Sequence, residues 1–242
     1  MLSKSQAKYI QSLGHKKFRD EEGLFIAEGP KIVNELLMEI PRLVKVVYGT
    51  REWMDENRGL PESTNFIEIK ESDLERVSQL STPNKVLAIV QKIEPDEIVT
   101  AKNLTLVLDT IQDPGNLGTI IRTADWFGIK QIVCSDNSAD MYNSKVVQAT
   151  MGSIARIKML YTDLPAWLKQ QRVTIFAAAL TGNDIRKMTR LTEGIIVIGN
   201  ESKGIHPDVM QLAAEKITIP KPGRAESLNA AVATAIILSH IV

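Results

Sequence analysis

Three polar stretches stand at the ends of apolar runs, and each carries residue types that can do chemistry. DTIQDPGNLG (109–118) follows Leu104–Leu108, GNESKG (199–204) follows Ile195–Ile198, and PKPGRAESLN (220–229) follows Ile217–Ile219. In the first stretch, Pro114-Gly115 reads as the centre of a type II turn, with glycine supplying the positive φ. Asn116 reads as the cap of the helix that follows. Arg122 then falls one turn into that helix, where a guanidinium and a helix N-terminus can converge on one anion such as a phosphate. A surface ion pair with Asp125 accounts for the same spacing equally well.

The second stretch brackets polar side chains with Gly199 and Gly204. This lets a ligand approach the backbone closely, although an ordinary strand-to-helix turn reads the same way. The third leads into Ala230, Ala231, Ala233, Thr234 and Ala235, small residues suited to close packing against a helix or a ligand. Gly115 and Gly118 have the GxxG spacing of a nucleotide clamp without its flanking pattern. Neither a G-x-G-x-x-G fingerprint nor a Walker lysine loop is present. His15, His206, His240 and Cys134 make no metal-ligand spacing, so no metal is expected. Cys134, closing a strand, reads as a buried apolar residue.

A separate cluster lies at the start of the chain. Lys4, Lys8, Lys16, Lys17 and Arg19 all precede the first acid, Asp20, with Tyr9 and Phe18 interleaved. Such a surface can bind phosphates even on a neutral protein, because charges beyond about 10 Å are screened. A solvated helix face gives the same pattern.

The elements that must position these residues follow from periodicity. In the first part, helices are expected at Lys4–Leu13, from Pro30 to about Met38, in 51–64, and at Ser72–Leu80 with Ser72 as N-cap. Strands are expected at Gly23–Ala27, Val44–Tyr48, Phe66–Ile69 and Val86–Gln91. Glu94-Pro95-Asp96-Glu97 reads as a linker. Beyond it, strands are expected at Leu104–Leu108, Gln131–Cys134, Thr174–Ala178, Gly194–Ile198 and Lys216–Ile219. Helices are expected near Gly118–Phe127, Asn143–Gln148, Pro165–Gln171, Pro207–Ala214 and Ser227–Ile241. Near-continuous apolar strands indicate a parallel sheet covered on both faces, a doubly wound α/β domain that binds ligands at strand carboxyl ends. The division is into residues 1–97 and 98–242.

Composition limits the class. The chain has 242 residues, with 29 Lys+Arg balancing 29 Asp+Glu, 44% hydrophobic and 24% charged residues. This excludes a disordered chain. The balance is uneven, −3 in residues 1–97 and +3 in 98–242. A single cysteine suits a reducing compartment, and the apolar run Ala230–Leu238 is half of the ~18 residues a membrane span needs. The start of the chain lacks the apolar block of a secretory signal. A cytoplasmic protein with no membrane association is expected.

Taken in order, DPGNLGTIIRTADWFG, IVIGNESKGI and ITIPKPGRAESLNAAVATAI resemble the three signature motifs of the SpoU (TrmH) family, RNA 2′-O-ribose methyltransferases of the SPOUT superfamily. GLFIAEGPKIVNELL in the first part resembles the small L30e-like RNA substrate-binding domain that many members carry. The resemblance implies an α/β fold with a C-terminal SPOUT trefoil knot and a mostly parallel sheet, in place of an ordinary doubly wound one. It also implies S-adenosylmethionine as cofactor, RNA as partner and a homodimer assembled through the knotted domain. Asn116, Arg122, Glu201, Ser227 and Asn229 then become the catalytic set. Arg122 has a phosphate-positioning and electrostatic role, since its charge is permanent. Leu180, Thr181, Gly199, Asn200, Ile219 and Leu228 become the cofactor contacts, chiefly through backbone groups. Lys4, Lys8, Lys16, Lys17 and Arg19 are expected to hold RNA, 23S ribosomal RNA in preference to transfer RNA. The same reaction on transfer RNA and a non-catalytic RNA-binding protein are the alternatives.

Overall fold

The structure, a computed structural model, describes residues 2–59, 64–94 and 97–242. Of the expected linker, Pro95 and Asp96 therefore lie outside the described residues. The chain forms two compact units. One comprises Met1–Glu94 with Asp140–Ala155, the other Pro95–Ala139 with Arg156–Val242.

The first unit opens with α1 (Lys4–Ser12), started by a capping box. Gln6 N donates to Ser3 Oγ and Ser3 N donates to Gln6 Oε1, so two otherwise orphaned donors are satisfied together. A second helix, α2 (Lys16–Glu22), follows and ends on Gly23, whose φ of 65° is the left-handed conformation that closes a helix. Then come β1 (Leu24–Glu28), α3 (Pro30–Glu39), β2 (Val44–Gly49), α4 (Arg51–Glu56), β3 (Asn65–Glu68), α5 (Glu71–Val77) and β4 (Val86–Gln91). The sheet order is β1-β4-β2-β3, antiparallel except for β2 with β3. One face buries Ile10 and Leu13 from the start of the chain and Leu74 and Val77 of α5 against Ile26, Leu87 and Ile89. Against β1 and β4, α3 adds Ile32, Val33, Leu36 and Leu37, all buried.

Ser72 is not the N-cap of α5: the helix begins at Glu71 after an extended Lys70. Glu71 and Asp73 occupy its first turn, where acids complement the helix dipole. The second segment of this unit contributes α7 (Ser144–Thr150), which follows α6 (Pro114–Trp126) of the other unit in chain order. Tyr142 stacks on Phe25 at 4.8 Å, and its hydroxyl accepts from Ile93 N.

The second unit is a six-stranded parallel sheet in the order β10-β8-β9-β5-β6-β7. Its strands are β5 (Leu104–Leu108), β6 (Gln131–Ser135), β7 (Lys158–Thr162), β8 (Ile175–Asp184), β9 (Gly194–Ile198) and β10 (Glu215–Thr218). Helices α8 (Leu164–Leu168), α9 (Pro207–Met210) and α10 (Ala230–Ile241) complete it. Edge strand β7 was not among the expected elements, because only Met159 of its five residues is buried and it lacks an apolar run. β8 runs six residues beyond Ala178, to Asp184. There Gly182 is obligatory, since a Cβ would stand 2.4 Å from the Lys216 carbonyl oxygen of β10. The C-terminal helix α10 packs along α6.

Candidate active site

The chemistry gathers at the carboxyl ends of β5, β9 and β10. β5 and β9 are adjacent and in register, with Leu108 opposite Ile198, so the loops that leave them emerge side by side. The loop after β5 holds no type II turn. Pro114 and Gly115 are already the first residues of α6, and Asp113 is its N-cap, with its carboxylate accepting from Asn116 N at 2.8 Å. Proline fits the first helical position because its φ is preset and its missing N–H would be unpaired there anyway.

Asn116 is therefore not the cap but sits in the first turn, with its side chain free for other partners. Its Nδ2 donates to Glu201 Oε1 at 2.5 Å, and its Oδ1 accepts from Asn229 Nδ2 at 2.8 Å. Asn229 in turn caps α10, its Oδ1 accepting from Ala231 N and Val232 N. One asparagine amide thus ties the loop after β9 to the loop before α10. Glu201 Oε2 has no partner among the described residues, which leaves a carboxylate oxygen free for a ligand hydroxyl.

Arg122 is exposed, and the alternative pairing with Asp125 does not form. Arg156 takes that carboxylate, through Nε at 3.0 Å and Nη2 at 2.9 Å. No ion pair or hydrogen bond engages Arg122 among the described residues. It lies on one exposed stripe of α6 with Thr119 and Trp126. Because the helix starts at Pro114, Arg122 is about 12 Å along the axis from the N-terminus. The guanidinium and the helix start therefore serve different parts of a ligand rather than a single anion. Ser227 is exposed in the loop before α10, outside both that helix and the Glu201–Asn116–Asn229 chain.

The loop after β9 is shaped by backbone contact. A Cβ on Gly199 would stand 2.4 Å from both the Gly204 carbonyl carbon and Ile205 N, so the loop can close only on glycine. Asn200 and Gly204 exchange backbone hydrogen bonds at 3.0 and 2.9 Å. Asn200 Oδ1 accepts from Ser202 N and Lys203 N, while its Nδ2 donates to Thr110 O. Both the backbone and the side chain of Asn200 thus take part in building the loop. Leu180 and Leu228 are conspicuous apolar side chains in solvent, 74% and 43% exposed. Thr181 is exposed beside Leu180, and Gly199 and Ile219 are half-buried. Exposed apolar side chains of this kind suit a ligand with a flat heteroaromatic ring, and S-adenosylmethionine carries one.

One organising residue escaped the sequence reading. Asp109 is buried, accepting His206 N through Oδ2 at 2.6 Å and the Thr110 hydroxyl through Oδ1 at 2.9 Å. It fixes the loop after β5 against the start of α9, and Thr110 beside it adopts φ of 60°. The available signal was a lone acid ending a strand of apolar residues. Cys134 is fully buried, and burial pushes its thiol well above the ordinary value, consistent with a packing residue. Among the described residues no three His, Cys, Asp or Glu side chains gather into a metal-binding group.

The cations expected to hold RNA divide into three kinds. Arg19 is 3% exposed: it donates to Leu13 O and Gly14 O and pairs with Asp140 at 2.7 Å. It is a structural anchor and cannot meet an RNA. Lys16 and Lys17 are exposed but pair with Asp20 and Glu21, one helical turn on. Lys4 and Lys8 are exposed and have no acidic partner among the described residues.

Comparison with known proteins places both parts of the chain. Residues 103–239 match the SpoU rRNA Methylase family, and residues 4–88 match the MRM3-like substrate binding domain. A 23S rRNA (guanosine-2′-O)-methyltransferase of Bacillus subtilis (strain 168) is 31% identical over 238 residues, covering 96% of this chain and 93% of the relative. A solved structure of a TrmH-family protein from Porphyromonas gingivalis superposes with a TM-score of 0.88 at 37% identity, covering 99% of this chain and 98% of that one. An AdoMet-bound rRNA methyltransferase from Sinorhizobium meliloti gives 0.83 at 30%, covering 99% and 95%. The second unit has the SPOUT architecture, and all three expected motifs fall within the matched segment. With its motif loops joined through Asn116 and a substrate-binding domain ahead of them, the chain belongs to the SpoU rRNA methylase family.

Proposed function

We propose that the protein transfers a methyl group from S-adenosylmethionine to a ribose 2′-hydroxyl of 23S ribosomal RNA, acting as a cytoplasmic homodimer. The observation that carries this reading is the Glu201–Asn116–Asn229 chain, which brings one residue of each motif loop together. A 2′-hydroxyl is a weak acid, so the site must orient it and stabilise the charge it develops. Glu201 Oε2 is free to accept the hydroxyl hydrogen bond, and Asn116 holds Glu201 in place to do so. Arg122, unpaired and permanently charged, positions the neighbouring phosphate and favours the developing alkoxide. Ser227, in the loop before α10, supplies a further polar contact to the substrate. When bound, S-adenosylmethionine supplies an electrophilic methyl on a sulfonium. Leu180, Thr181, Gly199, Asn200, Ile219 and Leu228 are the residues that would hold it.

The dimer is supported by surface chemistry. α10 is mostly apolar apart from Thr234, Ser239 and His240, yet its Val232 is 48% exposed, and Trp126 on the adjoining α6 is 85% exposed. Apolar surface left in water forgoes about 25 cal/mol per Å². A second copy of the chain would cover this exposed apolar surface.

The test is methyl transfer from labelled S-adenosylmethionine to RNA from cells lacking the gene. Label is expected in 2′-O-methylated large ribosomal RNA. Arg122→Ala should fold normally and lose about 10²-fold or more in kcat, the scale of a lost electrostatic contact in a transition state. Label in the transfer RNA fraction alone would overturn the ribosomal assignment. Absence of both label and S-adenosylmethionine binding would overturn the reaction.

A further inference from the structure

The first unit offers RNA a surface that differs from the one its sequence suggests. Of the five leading cations, Arg19 of α2 is buried, and Lys16 and Lys17 each stand beside an acid one helical turn on, Asp20 and Glu21, which offsets their charge towards a phosphate. Residues 1–97 are net acidic, with 14 cations against 17 anions. A phosphate chain must therefore find a local cationic surface.

Such a surface exists where α1 meets α5. Lys4, Lys8 and Gln11 fall at spacings of four and three on one stripe of α1, and Arg76 stands beside them on α5. With Ala7 these residues line a cleft of about 240 Å³, and of its three cations only Arg76 has an acidic partner among the described residues, the nearly buried Asp73. The cleft is held in shape from beneath. Gln11 Nε2 donates to Arg76 O at 2.7 Å, Arg76 Nη2 donates to Leu2 O and Ser3 O, and Leu2 N donates to Asp73 Oδ2 at 3.1 Å. Arg76 Nη1 lies 3.6 Å from the Asp73 carboxylate, while its side chain remains 43% exposed. Lys4 and Lys8 stand about 6 Å apart along the helix axis, a spacing comparable with that of successive backbone phosphates. Gln11 Oε1 has no partner among the described residues and can accept from a ribose 2′-hydroxyl, the group that distinguishes RNA from DNA.

We propose that the α1–α5 cleft is the RNA-backbone contact of the substrate-binding unit. Lys4, Lys8 and Arg76 take phosphates, Gln11 takes a ribose hydroxyl, and the α2 cations take no part. This rests on the reading of the protein as an RNA methyltransferase. It adds Gln11 and Arg76 to the expected contacts and removes Lys16, Lys17 and Arg19.

The experiment is steady-state methyl transfer by the full chain to its RNA, at several salt concentrations, for Lys4→Gln/Lys8→Gln and for Lys16→Gln/Lys17→Gln. Each lost single-strand phosphate contact removes about 0.7 from the slope of log affinity against log salt, so the first pair should lower that slope by about 1.4. It should raise KM for RNA about tenfold, with kcat and S-adenosylmethionine affinity unchanged. The second pair should leave KM within about twofold. Gln11→Leu should raise KM without altering the slope, because it removes an acceptor and no charge. An unchanged slope for Lys4→Gln/Lys8→Gln, or equal effects of the two pairs, would overturn the proposal. A wild-type protein that binds S-adenosylmethionine but methylates no RNA would instead overturn the function on which it rests.

Discussion

Asn116 shows why side-chain type matters at the site. A carboxamide of this length can donate to Glu201 and accept from Asn229 at once, and no carboxylate or amine can replace both bonds. Residues joined in this way should not contribute independently. A double-mutant cycle with Asn116→Ala and Glu201→Ala is expected to show a coupling of about 1 kcal/mol or more in transition-state stabilisation, measured as kcat/KM. Additive losses would mean that the two side chains act separately. The motifs single out these residues, but not the connections between them. Sequence spacing cannot show that Asn116 leaves the helix cap to Asp113, or that Arg156, 31 positions beyond Asp125, takes the carboxylate that the spacing offers to Arg122. Arg19 misled for a related reason. Five cations in a row look like one surface, but periodicity across two short helices turned one of them into the interior, where Asp140 neutralises it.

At the scale of elements, long periodic segments were legible nearly to the residue, as with β4, β5 and β9. Boundaries set by ambiguous dipeptides were not. Pro-Gly serves a turn or a helix start, and what decides is the Asp113 carboxylate in front of it. Asp113→Ala should therefore cost about 1 kcal/mol in urea unfolding. It should also lower kcat, since the first turn of α6 carries Asn116; unchanged kcat would separate the cap from the site. A second element-scale prediction concerns the end of β1. Glu28 is 3% exposed, and Ser78 Oγ and Gln79 N donate to its carboxylate, tying the exit of α5 to the sheet. Burial raises its carboxyl above the ordinary 4.5, against the opposing pull of those two donors. The folded state therefore holds the proton more tightly than the unfolded state. This group contributes no pH dependence well below the ordinary value, lowers stability as pH rises through the raised value, and levels off above it. Urea unfolding of the wild type and Glu28→Gln from pH 4 to 7 should show the wild type losing stability relative to the variant as pH rises. A constant difference would refute this.

For the whole molecule, two units were legible, but the path of the chain through them was not. A charged, proline-containing break is a local feature. The return of Asp140–Ala155 to the first unit depends on long-range packing: Tyr142 against Phe25, Gln148 Nε2 donating to Glu28 O, and Asp140 against Arg19. The proposed dimer would account for exposed apolar residues that fit no interior of their own chain, Trp126 and Val232. Trp126 shares a stripe of α6 with Arg122, so a second copy covering Trp126 would also enclose the guanidinium, reducing its hydration and strengthening its hold on a phosphate. Activity and association should therefore fall together. Sedimentation at micromolar concentration is expected to give a dimer for the wild type and a monomer for Trp126→Asp/Val232→Asp. The monomer should retain its far-ultraviolet circular dichroism and lose at least about 10²-fold in kcat, the same scale as removal of Arg122 itself. A monomeric wild type with full activity would show that Trp126 and Val232 face solvent in the working enzyme. A monomeric but fully active variant would show instead that Arg122 needs no second copy to act.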